Sequence, residues 1–416
     1  MTHSRLDTFI VVGFLILVQG TGAVAGFWLP AIAPEVADDV GLNASLIAYP
    51  VLILYIFAMI SSLFAGGFVT RFGAWRTSQL ALFLIGISHL MLMGGSLFLI
   101  VLGSISLGWA YGMITPPASH LLSKVVTQKN RNLIFSIRFT GVPIGGVLAG
   151  IFAPQLALDF GWQQSMLFSV AVAAALCLAM QPFRSQWDSD RSSNVTLLRN
   201  PLTDLKLVWR LTSLRWVALY GMCMGAVQTT LTTYTVTMLV EDIGYSLVLA
   251  GLGLSVIQFS SIFGRVTWGW VADKINNGRL ALMVIALIAT ICAVITITLS
   301  PQWPPVLVFS LCFVFGIAGM GWNGVYASEI VRLSPKSDVS KTTGASFFIT
   351  FSGVFIGPLL FSAGYSIVGA YTITFFLTII IALLAMFFIV KSRVVISRTP
   401  QSVSYTHLTL PTKRIV

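Results

Sequence analysis

The sequence predicts an all-α integral membrane protein whose twelve transmembrane helices form two parallel six-helix repeats. Three observations lead there: how apolar the chain is, where its basic residues fall, and a duplication within it. Of 416 residues, 56% are hydrophobic and only 9% charged, and mean hydropathy is +0.91. A soluble globule carries about 25% charged residues, so a polar shell cannot be built from this composition. Apolar runs of about 20 residues, enough to cross the hydrocarbon core as helix, recur along the chain. The predicted spans are 9–33, 45–68, 77–95, 97–122, 134–157, 165–183, 216–240, 247–271, 280–299, 306–329, 343–365 and 371–390.

The basic residues test that count, because short cytoplasmic loops retain Lys and Arg. With both termini cytoplasmic, all of the 24 Lys and Arg fall on inner segments except Arg138 and Arg265, which lie within spans. The outer loops instead carry Glu35, Asp38, Asp39, Asp159, Glu241 and Asp242. One helix more or fewer would destroy this sidedness. The net charge of +11 is therefore a topology signal, and no nucleic-acid partner is expected.

The duplication is visible residue by residue. Asp38-Asp-Val-Gly41 matches Glu241-Asp-Ile-Gly244, Gly66 matches Gly269, Arg71 matches Lys274 and Arg76 matches Arg279. Further on, Phe139-Thr-Gly-Val-Pro-Ile-Gly-Gly146 matches Phe351-Ser-Gly-Val-Phe-Ile-Gly-Pro358. Self-similarity on this scale means two copies of one structural unit. The expected organisation is an N-terminal bundle over 1–183, a cytoplasmic linker over 184–215, a C-terminal bundle over 216–398 and a tail over 399–416. In the linker, Pro201 followed by Leu202, Leu205, Trp209 and Leu211 among Lys206, Arg210 and Arg215 predicts a short amphipathic helix on the inner leaflet. From about residue 403 the tail resembles a translated sequencing adapter and is expected to be non-native and disordered. Cys177, Cys223, Cys292 and Cys312 all fall inside spans without metal-ligand spacing, so no disulfide, metal or cofactor is expected.

Two sets of residues resemble the major facilitator superfamily. Gly66-Gly-Phe-Val-Thr-Arg71-Phe-Gly73-Ala-Trp-Arg76 and Gly269-Trp-Val-Ala-Asp273-Lys274 resemble its loop signature, and Gly353-x-x-x-Gly357-Pro358 with Gly141-Val-Pro143-Ile-Gly145 resembles its glycine-proline helix signature. The resemblance implies alternating access between the halves, with the loop residues and helix glycines acting in gating, and a multi-pass protein of the bacterial cytoplasmic membrane, expected to be monomeric. Thr70 departs from the pattern, since the second copy keeps the acid as Asp273. That puts in doubt a carboxylate latch in the first copy. Glycines spaced for close approach and a bend-permitting proline also have a plain packing role.

Arg265 is the sharpest functional candidate. A guanidinium inside a span costs at least about 2.5 kcal/mol unless it meets a partner, a wet cavity or a substrate. Its register resembles that of an arginine in facilitator-type carriers for monocarboxylates, oxalate and nitrate, where the planar fork would bind a carboxylate or similar oxyanion. The alternative is a structural arginine paired with helix carbonyls or Glu329, snorkelling to the cytosol. Arg138 sits nearer the inner interface and carries the same two readings. Gln228, Tyr234 and Asn323 are further candidates for the cavity wall, because their side chains need partners outside their own helix. Glu329 beside Arg332 is expected to form a gate ion pair, and His89 and His120 are expected to serve packing before proton carriage. Neither nucleophile, acid-base pair nor nucleotide loop is present, which excludes a membrane enzyme. The expected function is secondary active transport of a small anion, monocarboxylate-like or an inorganic oxyanion, with the lipid bilayer as the other partner. Efflux of a drug-like or hydrophobic metabolite is the alternative.

Overall fold

Hydrocarbon offers a backbone no hydrogen-bond partner, so each apolar stretch must satisfy its own amides, and a helix does this within one segment. The computed structural model describes residues 5–41, 48–192, 200 and 202–398, all helix or short connection, with no strand among the described residues. Pro201 and the expected tail, 399–416, lie outside them. Twelve long helical segments follow in order: α1 (Arg5–Ala31), α2 (Ala48–Phe72), α3 (Ala74–Leu92), α4 (Leu97–Val125), α5 (Arg131–Phe160), α6 (Trp162–Met180), α7 (Thr212–Glu241), α8 (Leu247–Lys274), α9 (Gly278–Ile297), α10 (Pro305–Leu333), α11 (Val339–Val368) and α12 (Phe376–Arg398). Ten are long and apolar enough to cross a membrane on that ground alone. The other two predicted spans coincide with α3 and α7, whose hydropathy is lowered by Arg76 to Gln79 and by the run from Gln228 to Thr235.

The duplication survives as geometry. Gly41 and Gly244 both take positive φ, 71° and 78°. Beside them, Asp39 accepts from the Trp162 indole at 3.0 Å, and Asp242 accepts from the Thr372 amide at 2.7 Å. Asp39, in the short helix Ala33–Val40 that follows α1, thus ties that segment to the start of α6, and Asp242, at the end of α7, ties it to the short helix Tyr371–Thr374 that precedes α12. Within each half the signature glycines let backbones touch. A Cβ on Gly145 would lie 2.5 Å from the Gly20 carbonyl of α1, and one on Gly357 would lie 2.7 Å from Ala226 Cα of α7. Gly141 and Gly353 press in the same way on Ile16 and Met222. These contacts pair α1 with α5 and α7 with α11 by close packing.

Three spans expected to be continuous are interrupted in their interiors, and a fourth, 371–390, breaks near its start at Phe375. Within α4, Leu97–Gly112 gives way to Thr115–Val125, and within α10, Pro305–Gly319 gives way to Asn323–Leu333. Gly112 lies on the Ala58 carbonyl of α2, and Gly321 packs beside Trp268 and Gly264 of α8, so each break sits where its helix presses on a neighbour. In α5 the break falls at Thr140, between Arg131–Phe139 and Gly141–Phe160. There Pro143 has no amide to give the Phe139 carbonyl.

The halves meet along two seams. On one, Gly66 of α2 lies against the Lys341 backbone of α11; on the other, Gly269 of α8 lies against the Asn132 carbonyl and Ser136 of α5. The linker helix, Leu202–Arg210, forms where the amphipathic pattern predicts it and packs against α11, α7 and α2.

Candidate functional site: two guanidiniums without acidic partners and a central cavity

Arg138 and Arg265 come from different halves, and each is 1% exposed. Arg138 ends the first piece of α5. Its Nη1 and Nη2 donate weakly to Thr115 Oγ1 at 3.5 and 3.4 Å, Nη2 also donates to the Ile114 carbonyl at 3.4 Å, and its guanidinium sits 4.5 Å from the Phe139 ring centre. The break in α4 frees that carbonyl. Arg265 donates from Nη1 to Ser261 Oγ, one turn back on α8, at 3.2 Å. The Nε of both is buried without a partner, and neither has an acidic neighbour among the described residues. Glu329 does not reach Arg265; it is taken by Arg332 at 2.6 Å and Arg279 at 3.7 Å.

Tyr111 lines a cavity of about 300 Å³ whose wall includes neither arginine; along α8 it reaches Gln258, two turns before Arg265. Its wall is Phe27 and Pro30 of α1, Leu54 and Tyr55 of α2, Thr229, Thr232 and Thr233 of α7, and Gln258 of α8. The Gln258 Oε1 is buried without a partner, as is that of Gln19 near the α1–α5 crossing. Tyr55 and Tyr111 meet edge to face at 6.2 Å, and both lie 6.4 Å from Phe351. Toward the cytosol the path is shut by aromatic packing between the halves, with Phe139 stacked on Phe347 at 6.4 Å. The wall of this cavity offers rings, hydroxyls and the Gln258 amide, with no carboxylate among its lining residues.

Below that plug the cytosolic closure is a hydrogen-bonded clasp. Asp273, at the foot of α8, accepts from the amides of Asn132 and Leu133 at 3.0 and 2.8 Å and from Asn132 Nδ2 at 2.8 Å. It caps α5 of the opposite half, with its charge on the positive end of that helix. Arg131 adds a 3.2 Å bond to Ser328 of α10. The expected gate pair, Glu329 with Arg332, is present beside it. Lys274 lies over the Trp270 ring at 4.8 Å and Arg71 over Phe72 at 5.8 Å.

The first loop copy is arranged otherwise. Thr70 closes on its own helix, donating to the Gly66 carbonyl at 2.9 Å. Gly73 takes a φ of 100°, and a side chain there would run into Asp188. Asp188, beyond α6, accepts from the Trp75 and Arg76 amides at 2.8 and 3.1 Å and so caps α3 within its own half. Burial pushes its carboxyl up to about 6, against the pull of the Trp75 amide. Its neighbour Asp190 binds His120 and Lys124, both at 2.8 Å, and the His120 bond holds its carboxyl well below the usual range.

The other predicted site residues are dispersed. Gln228 and Asn323 do come together: Gln228 Oε1 accepts from Asn323 Nδ2 at 3.0 Å and from the Trp322 indole at 3.1 Å, pinning α7 to the break in α10. Tyr234 faces α11 rather than the cavity, donating to the Pro358 carbonyl at 2.9 Å and stacking on Phe361 at 4.4 Å. Pro143 and Pro358 stay inside helical segments. His89 is wholly buried, with Nδ1 3.3 Å from the Ile85 carbonyl of its own helix. Tyr55 and Tyr111 were not singled out by sequence reasoning. Their signal was position, since tyrosines otherwise favour the membrane interfaces.

Two pseudo-symmetric bundles around a cavity that is closed toward one side define a carrier, not an enzyme. The sequence profile described as Major Facilitator Superfamily matches residues 13–358, and the chain belongs to that family. It is a multi-pass secondary transporter. Among curated relatives it is 23% identical over 274 residues to a "Probable hexose phosphate transport protein" of Chlamydia trachomatis, an alignment covering 59% of this chain and 60% of that one. It is 25% identical over 403 residues to the 4-hydroxybenzoate transporter PcaK of Acinetobacter baylyi, covering 86% and 85%. With a gallate transporter of Pseudomonas putida it shares 25% identity over 299 residues, covering 64% and 65%. The fold superposes on the E. coli fucose:proton symporter FucP with a TM-score of 0.74 at 17% identity, covering 93% of this chain and 99% of that one. A human organic anion transporter superposes with a TM-score of 0.74 at 15% identity, covering 92% and 99%.

Proposed function

We propose that this carrier moves a small organic carboxylate across a bacterial cytoplasmic membrane by alternating access, acting as a monomer. One observation carries the reading: two buried guanidiniums, one from each half, stand without an acidic partner among the described residues, Arg265 two turns inward of the cavity-lining Gln258 on α8 and Arg138 bonded to Thr115, just past the cavity-lining Tyr111 on α4. Two desolvated cations favour an anion, and a planar fork favours a carboxylate. The wall decides between anions. Beyond the two phenol hydroxyls, Phe27, Leu54, Tyr55 and Tyr111 present ring and alkyl surface, which fits the apolar or aromatic body of an organic acid better than a small hydrated inorganic oxyanion. The 4-hydroxybenzoate and gallate specificities named for two relatives agree with that choice.

In this reading Arg138 and Arg265 hold the carboxylate, Tyr111, Thr229, Thr232 and Gln258 contact the body, and Gln228 with Asn323 positions α10. Counterflow tests it without assuming a direction. Proteoliposomes loaded with unlabelled 4-hydroxybenzoate should accumulate the labelled acid. Arg265→Ala and Arg138→Ala should each lower the initial rate at least about tenfold, the loss of one charge-assisted bond. Wild-type rates in Arg265→Ala, in protein that elutes and melts normally, would reject the site. Saturable export of a neutral hydrophobic compound that ignores both substitutions would favour efflux instead.

A further inference from the structure

A second crevice lies outside the transport path, at the foot of the C-terminal half. α7 and α11 touch where Gly353 presses on the Met222 carbonyl, and beneath that crossing Leu219 and Met222 face Phe348, Ile349 and Ser352 across a gap of about 560 Å³. The linker helix closes its cytosolic end with Leu205, Lys206, Trp209 and Arg210. The deep wall is apolar, and the Ser352 hydroxyl is already spent on the Ile349 carbonyl at 2.6 Å. The rim is cationic. Asp204, the only acid of this helix, is 7% exposed and turned inward, while Lys206 and Arg210 are exposed and have no acidic partner among the described residues. Arg215 follows one helix later, stacked at 5.6 Å over Trp209, with its Nε buried and unpartnered.

We infer that this crevice is a binding site for an anionic phospholipid of the inner leaflet. The phosphate sits between Lys206 and Arg210, and one acyl chain runs past Trp209 and Leu219 toward Met222. A basic rim at headgroup depth above an apolar slot is complementary to a lipid anion and to neither a zwitterionic lipid nor a soluble phosphate. Because the same helix packs on α2 of the other half as well as on α7 and α11, the lipid would brace the seam between the halves.

Native mass spectrometry of the full chain in detergent, titrated with phosphatidylglycerol or phosphatidylcholine, tests this. One phosphatidylglycerol should be retained in preference to phosphatidylcholine. The double variant Lys206→Gln/Arg210→Gln should weaken it about thirtyfold, given the attraction of each basic side chain for an anionic leaflet. Ser352→Phe, which leaves the charges and fills the slot, should weaken it as well, with an unchanged melting temperature as the check on folding. Equal retention of both lipids, an unaffected double variant, or displacement of the bound lipid by millimolar inorganic phosphate would each overturn the assignment. So would tight retention in the filled variant, which would reduce the site to surface charge.

Discussion

The loop after α2 and the loop after α8 are copies of one sequence, yet they hold different things. Both place a glycine where the halves cross, Gly66 on Lys341 and Gly269 on Asn132. Both then turn through a residue of positive φ, Gly73 in the first and Asn276, at 49°, in the second. Both send an arginine toward an acid, Arg76 to Asp188 at 3.8 Å and Arg279 to Glu329 at 3.7 Å. The carboxylate distinguishes them. Asp273 spans the seam to α5, whereas Thr70 in the matching position bonds its own helix and carries no charge across to α11. Duplication has preserved shape while keeping the loop carboxylate on one seam only, so the two seams should respond differently to the same chemistry.

The largest expected effect is at the clasp. Asp273→Asn keeps the shape but removes the charge from three bonds, and at about 1.5 kcal/mol or more for each charged bond the population closed to the cytosol should fall at least about tenfold. Spin-label distances across α5 and α8 would show it, and an unchanged distribution would mean that the clasp does not hold the seam. A smaller effect should follow from giving the first copy its missing acid. Thr70→Asp restores at this position the carboxylate that Asp273 supplies in the second copy, and about 1 kcal/mol for such a charge at the N-terminus of the facing helix would slow opening about fivefold. Faster turnover would contradict the comparison. The smallest effect lies in the Asp188 cap, which serves one half only. Burial raises its carboxyl from 3.8 to about 6, so folding favours the neutral form. That contribution is complete below the unfolded value and is lost as pH rises through about 6. Asp188→Asn should therefore compare worst with wild type in melting temperature near pH 4 and best above pH 6, with the closed population unmoved. A deficit that widens with rising pH would refute it.

The bundle was legible because lipid restricts the chain to helices and because basic residues report sidedness loop by loop. The duplication was legible wherever a residue type is dictated by backbone, as at Gly41, Gly244, Gly73 and the crossing glycines. The breaks in α4 and α10 were not, since Gly112 and Gly321 interrupt their helices only against particular neighbours. Arg138 and Arg265 stood out because a charge in hydrocarbon demands an explanation. Asp188 did not, because its cap joins residues 113 positions apart. Tyr234 illustrates the converse: a polar group within a span needs a partner, and the Pro358 carbonyl of α11 serves as well as a cargo would.

The central claim is that the cavity recognises negative charge through two unpaired guanidiniums. Competition at equilibrium tests it most directly: labelled benzoate is bound to the purified carrier and challenged with unlabelled benzoate or with benzamide, which has the same ring and no charge. The account predicts displacement by benzoate and none by benzamide at a hundredfold higher concentration. Equal displacement by the two would show that the ring alone is bound, and that the arginines answer to something other than the cargo.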